Sequence, residues 1–280
     1  MRTVPTSDIT KNIKEMCIEA NHFLSDDMKE VFNRALNAEE SPLGKQVLGQ
    51  LKENLDIAGS DMIPICQDTG MAVIFISVGQ EVHFEGGCLT DAVNEGVRQG
   101  YEEGYLRKSV VKDPIYRENT KDNTPAVIHY DIVPGDTIEI TVAPKGFGSE
   151  NMSSVFMLKP ADGIEGVKEA ILTAVKDAGP NACPPMVVGV GIGGTFEKCA
   201  LLAKKALTRD LSIQSPVEYV RELEAEMLDK INMLGIGPGG LGGTQTALAV
   251  NIETYPTHIA GLPVAVNICC HVNRHVHRVL

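Results

Sequence analysis

The first 60 residues carry apolar positions at the period of a helix. Ile9, Ile13, Met16, Cys17 and Ala20 recur at spacings of three and four, which gathers them on one face. Ser25-Asp26-Asp27 caps a second run with Met28, Val31, Phe32 and Leu36. Ser41-Pro42 opens a third helix, with Val47, Leu48, Leu51 and Leu55, which stops near Gly59. Beyond residue 70 the pattern changes. Residues 71–78 and 81–84 read as strands, and Asp91 to Tyr105 as a helix. Residues 126–133 and 136–143 alternate with period two, and Pro134-Gly135-Asp136 between them predicts a hairpin. A helix follows at 162–178, an apolar strand at 186–190, and helices at 196–207 and 216–233. The last 34 residues read as strands. This irregular alternation predicts a mixed α/β (α+β) fold: a mixed sheet with flanking helices and an N-terminal helical layer over residues 1–60. No catalytic signal lies in that layer, and it is expected to pack on the core or on a partner.

Composition narrows the picture. A chain of 280 residues, 43% hydrophobic, buries a sizeable core. It is expected to form a single domain over 1–280, with the helical region packed on it. The net charge of −12 and the lack of a long basic run argue against nucleic acid as partner. The N-terminus lacks the apolar core of a signal peptide, and no window is long and apolar enough to span a bilayer, so the expected place is the cytoplasm. There, seven cysteines are thiols or ligands rather than disulfides.

Three cysteine settings stand out. Pro64-Ile-Cys66-Gln-Asp-Thr-Gly70 sets a thiol between an apolar lead-in and a polar turn, just ahead of a strand. Asn181-Ala-Cys183-Pro-Pro185 stiffens the chain directly after a second thiol and removes two backbone donors. Asn267-Ile-Cys269-Cys270-His271 brings a strand into a histidine-rich tail, where only one of two adjacent cysteines faces a given side. Cys199 lies within a helix and reads as core. Close ligand pairs such as Cys-x-x-Cys, usual for structural zinc, are absent. Three distant thiolates better suit an iron–sulfur cluster, with one iron left open as a Lewis acid.

Two glycine-rich stretches complete the candidates. Gly191-Ile-Gly-Gly-Thr195 lacks the glycine spacing of a dinucleotide turn. Leu234 to Thr246 is dense in glycine and, with only strands after it, reads as a loop passing close to something rather than a linker. The stretch 143–154, with small residues, hydroxyls and a lysine, is a weak candidate for presenting backbone amides to an anion.

Taken together, Ile65-Cys-Gln-Asp-Thr-Gly70, Asn181-Ala-Cys-Pro-Pro185, the Gly235–Gly243 loop and Asn267-Ile-Cys-Cys-His271 resemble the class I (iron–sulfur) fumarate hydratase and L-tartrate dehydratase family over nearly the whole chain. The resemblance implies a [4Fe-4S] cluster held by Cys66, Cys183 and Cys270. Cys270 is chosen over Cys269 because the family cysteine is followed by a histidine or aromatic position and then a basic one, here His271 and Arg274. It implies Gln67 and Asp68 as hydrogen-bonding partners of the substrate, Arg107 as the clamp on a carboxylate, and Gly146 and Gly148 as a backbone contact. His258 matches the family's active-site histidine; with Asp68 it forms the expected catalytic set. The implied activity is reversible hydration of fumarate to malate, a step of the tricarboxylic acid cycle. L-Tartrate dehydration is the alternative, and a non-catalytic iron–sulfur sensor or scaffold the alternative of another class. The chain stops ten residues after Cys270. In the family the catalytic base lies beyond that point, so the expected partner is a beta subunit, in an α2β2 assembly, with a small dicarboxylate as substrate.

Overall fold

The computed structural model describes Met1–Leu280 and divides them into two compact units. The first comprises Met1–Ser25, Asn54–Phe147 and Arg274–Leu280; the second comprises Asp26–Glu53 and Gly148–Asn273.

The elements in chain order are β1 (Arg2–Pro5), α1 (Thr6–His22), α2 (Asp26–Ala38), α3 (Pro42–Asp61), β2 (Met71–Gly79), β3 (Val82–Glu85), α4 (Leu89–Glu103), β4 (Val127–Val133), β5 (Ile138–Lys145), α5 (Phe147–Glu150), β6 (Ser154–Leu158), α6 (Gly163–Ala178), β7 (Met186–Gly193), α7 (Phe196–Ala206), α8 (Glu218–Asn232), β8 (Ala247–Tyr255), β9 (Leu262–Cys269) and β10 (Val276–Val279). The mixed α/β content matches the sequence reading, and the N-terminal helices fall close to their expected bounds.

In the first unit a sheet runs β10-β5-β2-β4, and β1 pairs with β3 in a parallel ribbon. β2 is parallel to β4 and antiparallel to β5. The expected hairpin between the strands at 126–133 and 136–143 is therefore absent: β2 lies between them. The reason is burial. β2 is apolar and largely buried along its length, so it takes a neighbour on both sides, whereas β4 is mostly exposed and sits at the edge. The 134–137 connection wraps the end of β2, with amides of Gly79, Gln80 and Glu81 donating to carbonyls of Thr137, Val133 and Gly135. α1 packs on α4, where Gly96 and Gly100 leave room for Ile13 and Cys17. Ile9, Ile13, Met16, Ile74, Ile76, Val97 and Ile140 fill the core beneath. Arg278 on β10 reaches back to Glu15 and Glu19 on α1 at 2.8 Å each.

In the second unit the sheet runs β6-β9-β7-β8. β7 alternates valine and glycine, and the alternation sets its two faces. Val188 and Val190 join Val220, Leu223 and Met227 of α8 and Ile171 and Ala174 of α6 in the main core. Gly189 and Gly191 face α7, where a Cβ would overlap the carbonyls of Ala203 and Cys199. The glycines that loosely echo a dinucleotide turn thus serve close helix–sheet packing.

The two sheets share one plan. A central strand (β2 or β7) has a parallel neighbour reached through helices (β4 or β8) and an antiparallel one on its other side (β5 or β9). The antiparallel strand has a further antiparallel neighbour, β10 or β6.

Candidate functional site

Cys66 stands in the bend before β2 and is half-buried. The Asp68 amide donates to its sulfur at 3.4 Å. The Asp68 carboxylate accepts from the amides of Gly70 at 3.1 Å and Phe147 at 2.8 Å, which ties the Cys66 turn to the Gly146 loop. Gly70 has φ +76°, and a Cβ there would lie 2.7 Å from the Lys145 backbone, so the close approach of the two segments requires glycine.

Side chains the sequence does not single out support this turn. Tyr101, fully buried on α4, donates to the carbonyls of Thr69 at 2.8 Å and Gly70 at 3.1 Å, and burial raises its phenol. Asn123 donates to the Gly70 carbonyl at 3.2 Å and accepts from the amides of Ser109 and Val110. The Thr69 hydroxyl donates to the Arg107 carbonyl. The segment carrying Arg107 is therefore fastened to the Cys66 turn. The Arg107 side chain itself is exposed and pairs with no group of the protein, and Gln67 is exposed in the same way. Asp68 and Arg107 are not an ion pair.

In the second unit, Cys183 occupies the left-handed region, φ 52°, just before β7, and is exposed. The His271 amide at 3.4 Å and its Nδ1 at 3.1 Å both approach the Cys183 carbonyl. The segment after β9 is thereby held against the Cys183 turn. Cys269 is 4% exposed in β9, whereas Cys270 beside it is half-exposed. Cys17 and Cys199 are core: burial pushes the Cys17 thiol up to about 12, and Cys199, also raised by burial, donates to the Phe196 carbonyl.

The glycine loop before β8 makes the close approach its composition implies. The Gly239 amide donates to the Pro184 carbonyl at 2.8 Å, and a Cβ on Gly240 (φ +74°) would overlap Pro180. The loop thus braces both sides of Cys183. It is held in turn by Glu39 at the end of α2, 1% exposed, whose oxygens accept from the amides of Glu40, Ser41, Thr244 and Gln245 and from the Thr244 hydroxyl. A buried acid closing such a ring carries no motif and was missed in the sequence.

His258 lies on the exposed turn between β8 and β9, and its Nδ1 accepts from the Ala260 amide at 3.2 Å. It borders a cavity of about 410 Å³ walled by Ile164, Val167, Tyr219, Leu223, Ile259 and Leu262. No lysine or arginine lines that cavity. Gly146 borders the Asp68 carboxylate, and Gly148 is exposed on α5. No three His, Cys, Asp or Glu side chains are gathered into a ready-made metal group. The donor chemistry nevertheless fits an iron–sulfur centre: three accessible thiols, each at a sheet end, one with an amide donated to its sulfur.

The described site thus joins accessible thiols to exposed polar side chains, and no helix of the chain is long and apolar enough to cross a membrane. The family model described as fumarate hydratase (Fumerase) matches residues 10–279, and the chain belongs to that family. It is 42% identical over 272 residues to the "Putative L(+)-tartrate dehydratase subunit alpha" of Methanocaldococcus jannaschii, covering 95% of each chain. It is 33% identical over 256 residues to the L(+)-tartrate dehydratase subunit alpha of Escherichia coli strain UTI89, covering 90% of this chain and 84% of that protein.

Proposed function

We propose that this chain is the cluster-bearing alpha subunit of a two-subunit cytoplasmic hydro-lyase that adds water reversibly to fumarate, giving malate. The observation that carries the reading is the Cys66 turn: a thiol receiving an amide hydrogen bond, fastened to a segment whose arginine is exposed and unpaired. Cys66, Cys183 and Cys270 would hold a [4Fe-4S] cluster, which supplies Lewis acidity at the iron lacking a cysteine.

The chain's own groups do the rest. Arg107 takes a substrate carboxylate through a charge-assisted bond worth about 1.5–3 kcal/mol. Gln67 is free to bond the substrate or its water. Asp68 spends one lone pair on each oxygen holding Gly70 and Phe147, and keeps others to accept from a hydroxyl. Gly146 and Gly148 offer backbone groups without a side chain in the way. His258, its Nδ1 occupied as an acceptor, presents Nε2–H as a donor when neutral. The base that takes the carbon-bound proton comes from the beta subunit in an α2β2 assembly. The names of the relatives favour a second reading, L(+)-tartrate as substrate.

The test is anaerobic reconstitution with iron and sulfide, with and without a beta chain, followed by assays on fumarate, malate and L(+)-tartrate. Turnover only with the partner is expected, and the preferred acid decides between the two readings. A complete cluster with no turnover of any of the three, partner present, refutes catalysis and leaves a sensor.

A further inference from the structure

Arg274 lies four residues beyond Cys270 in the chain, yet it belongs to the first unit. It is 4% exposed. Its Nε donates to the Pro144 carbonyl at 3.2 Å, and its Nη2 to the Asp68 carbonyl. Gly146 is adjacent: a Cβ there would lie 3.9 Å from Nη2 and 3.0 Å from the Asp68 carboxylate. Nη1 is buried and has no partner, and no carboxylate pairs with the guanidinium.

A buried guanidinium with no carboxylate bonded to it is costly, and a buried donor without an acceptor adds to the cost. Neutralising by loss of a proton is closed to arginine. If its task were only to fasten the Asp68 and Pro144 carbonyls, a neutral amide would serve. The positive charge and the spare donor together call for an anion. The surroundings limit which. A side chain at position 146 would crowd the Asp68 carboxylate, which is already held by two amides.

We propose that Arg274 anchors an anion subsite at the Cys66 turn: Nε and Nη2 fix the loops carrying Asp68 and Gly146, and Nη1 is kept for a carboxylate of the substrate. This rests on the dicarboxylate hydro-lyase reading and adds a second arginine to Arg107. Arg107, exposed, captures; Arg274, buried and immobile, sets the position of the carboxylate relative to the turn.

The experiment uses the chain reconstituted anaerobically with its beta subunit. Succinate, a dicarboxylate with no hydroxyl to lose, is titrated by equilibrium dialysis, and iron and sulfide per chain are counted in the same samples. Arg274→Gln is expected to weaken succinate at least tenfold and to raise KM, at wild-type iron content. Arg274→Lys, which restores charge but not the fork of donors, recovers part of the affinity. Succinate binding by Arg274→Gln equal to wild type overturns the subsite, since Nη1 then holds no more than a buried water. If the glutamine variant does not fold, Arg274→Lys decides: wild-type affinity and KM overturn the proposal, and weakened binding supports it. A wild-type complex that neither binds succinate nor turns over a hydroxy acid overturns the hydro-lyase reading as well. A wild type that does both, with unaltered variants, overturns the subsite alone.

Discussion

Replacing Glu39 by glutamine tests the brace behind Cys183. The carboxylate is buried and receives four backbone amides and one hydroxyl at 2.8–3.2 Å. An amide keeps one oxygen. Its best placement is at Oε1, where Glu40, Ser41 and Thr244 converge, and this turns the NH2 toward the Gln245 amide, donor against donor. One charge-assisted bond, worth about 1.5–3 kcal/mol, is lost, and the others fall to neutral strength. Because bonds to one group do not add, the expected loss is about 2 to 4 kcal/mol, a large part of a domain's stability. The charge also predicts a pH dependence. Burial works to raise the Glu39 carboxyl, but the amides of Thr244, Ser41 and Gln245 outweigh it, and its value is lowered. The contribution is therefore complete above the unfolded value of about 4.3 and is lost as pH falls through the lower folded one. Urea unfolding followed by circular dichroism suits a chain without tryptophan. A variant within about 0.5 kcal/mol of wild type at pH 7, the range of an ordinary surface change, refutes the brace. A gap that does not close in acid refutes its electrostatic basis.

Tyr101→Phe strips the Thr69 carbonyl of its hydroxyl and should cost about 1–2 kcal/mol in urea unfolding; an unchanged midpoint counts against the support assigned to it. In the cluster-free chain, a thiol reagent should label Cys66, Cys88, Cys183 and Cys270 rapidly and spare Cys17, Cys199 and Cys269, which mass spectrometry of the peptides reads directly. Gly240→Ala, strained at φ +74° and overlapping Pro180, should lower the melting temperature and the iron retained after reconstitution; retention of both refutes the link to Cys183. Arg107→Gln should raise KM about tenfold or more with the cluster spectrum intact, from the loss of a charge-assisted bond; an unchanged KM removes Arg107 from the site.

The helices were legible because each carries its own signal: Ile9 to Ala20 for the first, Ser41-Pro42 for the opening of the third. Strand order was not. The turn residues Pro134-Gly135-Asp136 mark a reversal correctly, but nothing local says that β2, some 50 residues earlier, enters between the two arms. No strand is predicted over β6, because its exposed edge position allows Val155 and Met157 to face outward without a buried alternation. At the candidate site, the residues with chemical signatures were legible: Cys66 beside Asp68, Cys183 before its prolines, and the glycine loop that meets Pro180 and Pro184. Glu39, Tyr101 and Asn123 were not, and Arg274 entered only as the basic position that the family resemblance implies. They act largely on backbone groups distant in sequence, and a lone acid, phenol, amide or guanidinium looks like any other.

The shared plan of the two sheets bears on the number of cysteines. Cys66 precedes β2 as Cys183 precedes β7. Lys145, paired with Met71, ends β5 as Cys269, paired with Val187, ends β9. The next residue is Gly146 in one unit and Cys270 in the other. A twice-used scaffold thus offers four corresponding stations, and under the proposed ligand set three bear sulfur while the fourth bears hydrogen. Position 146 is therefore the one of these four places with no sulfur to offer, and the glycine there leaves the turn after β5 open where the turn after β9 carries a thiol.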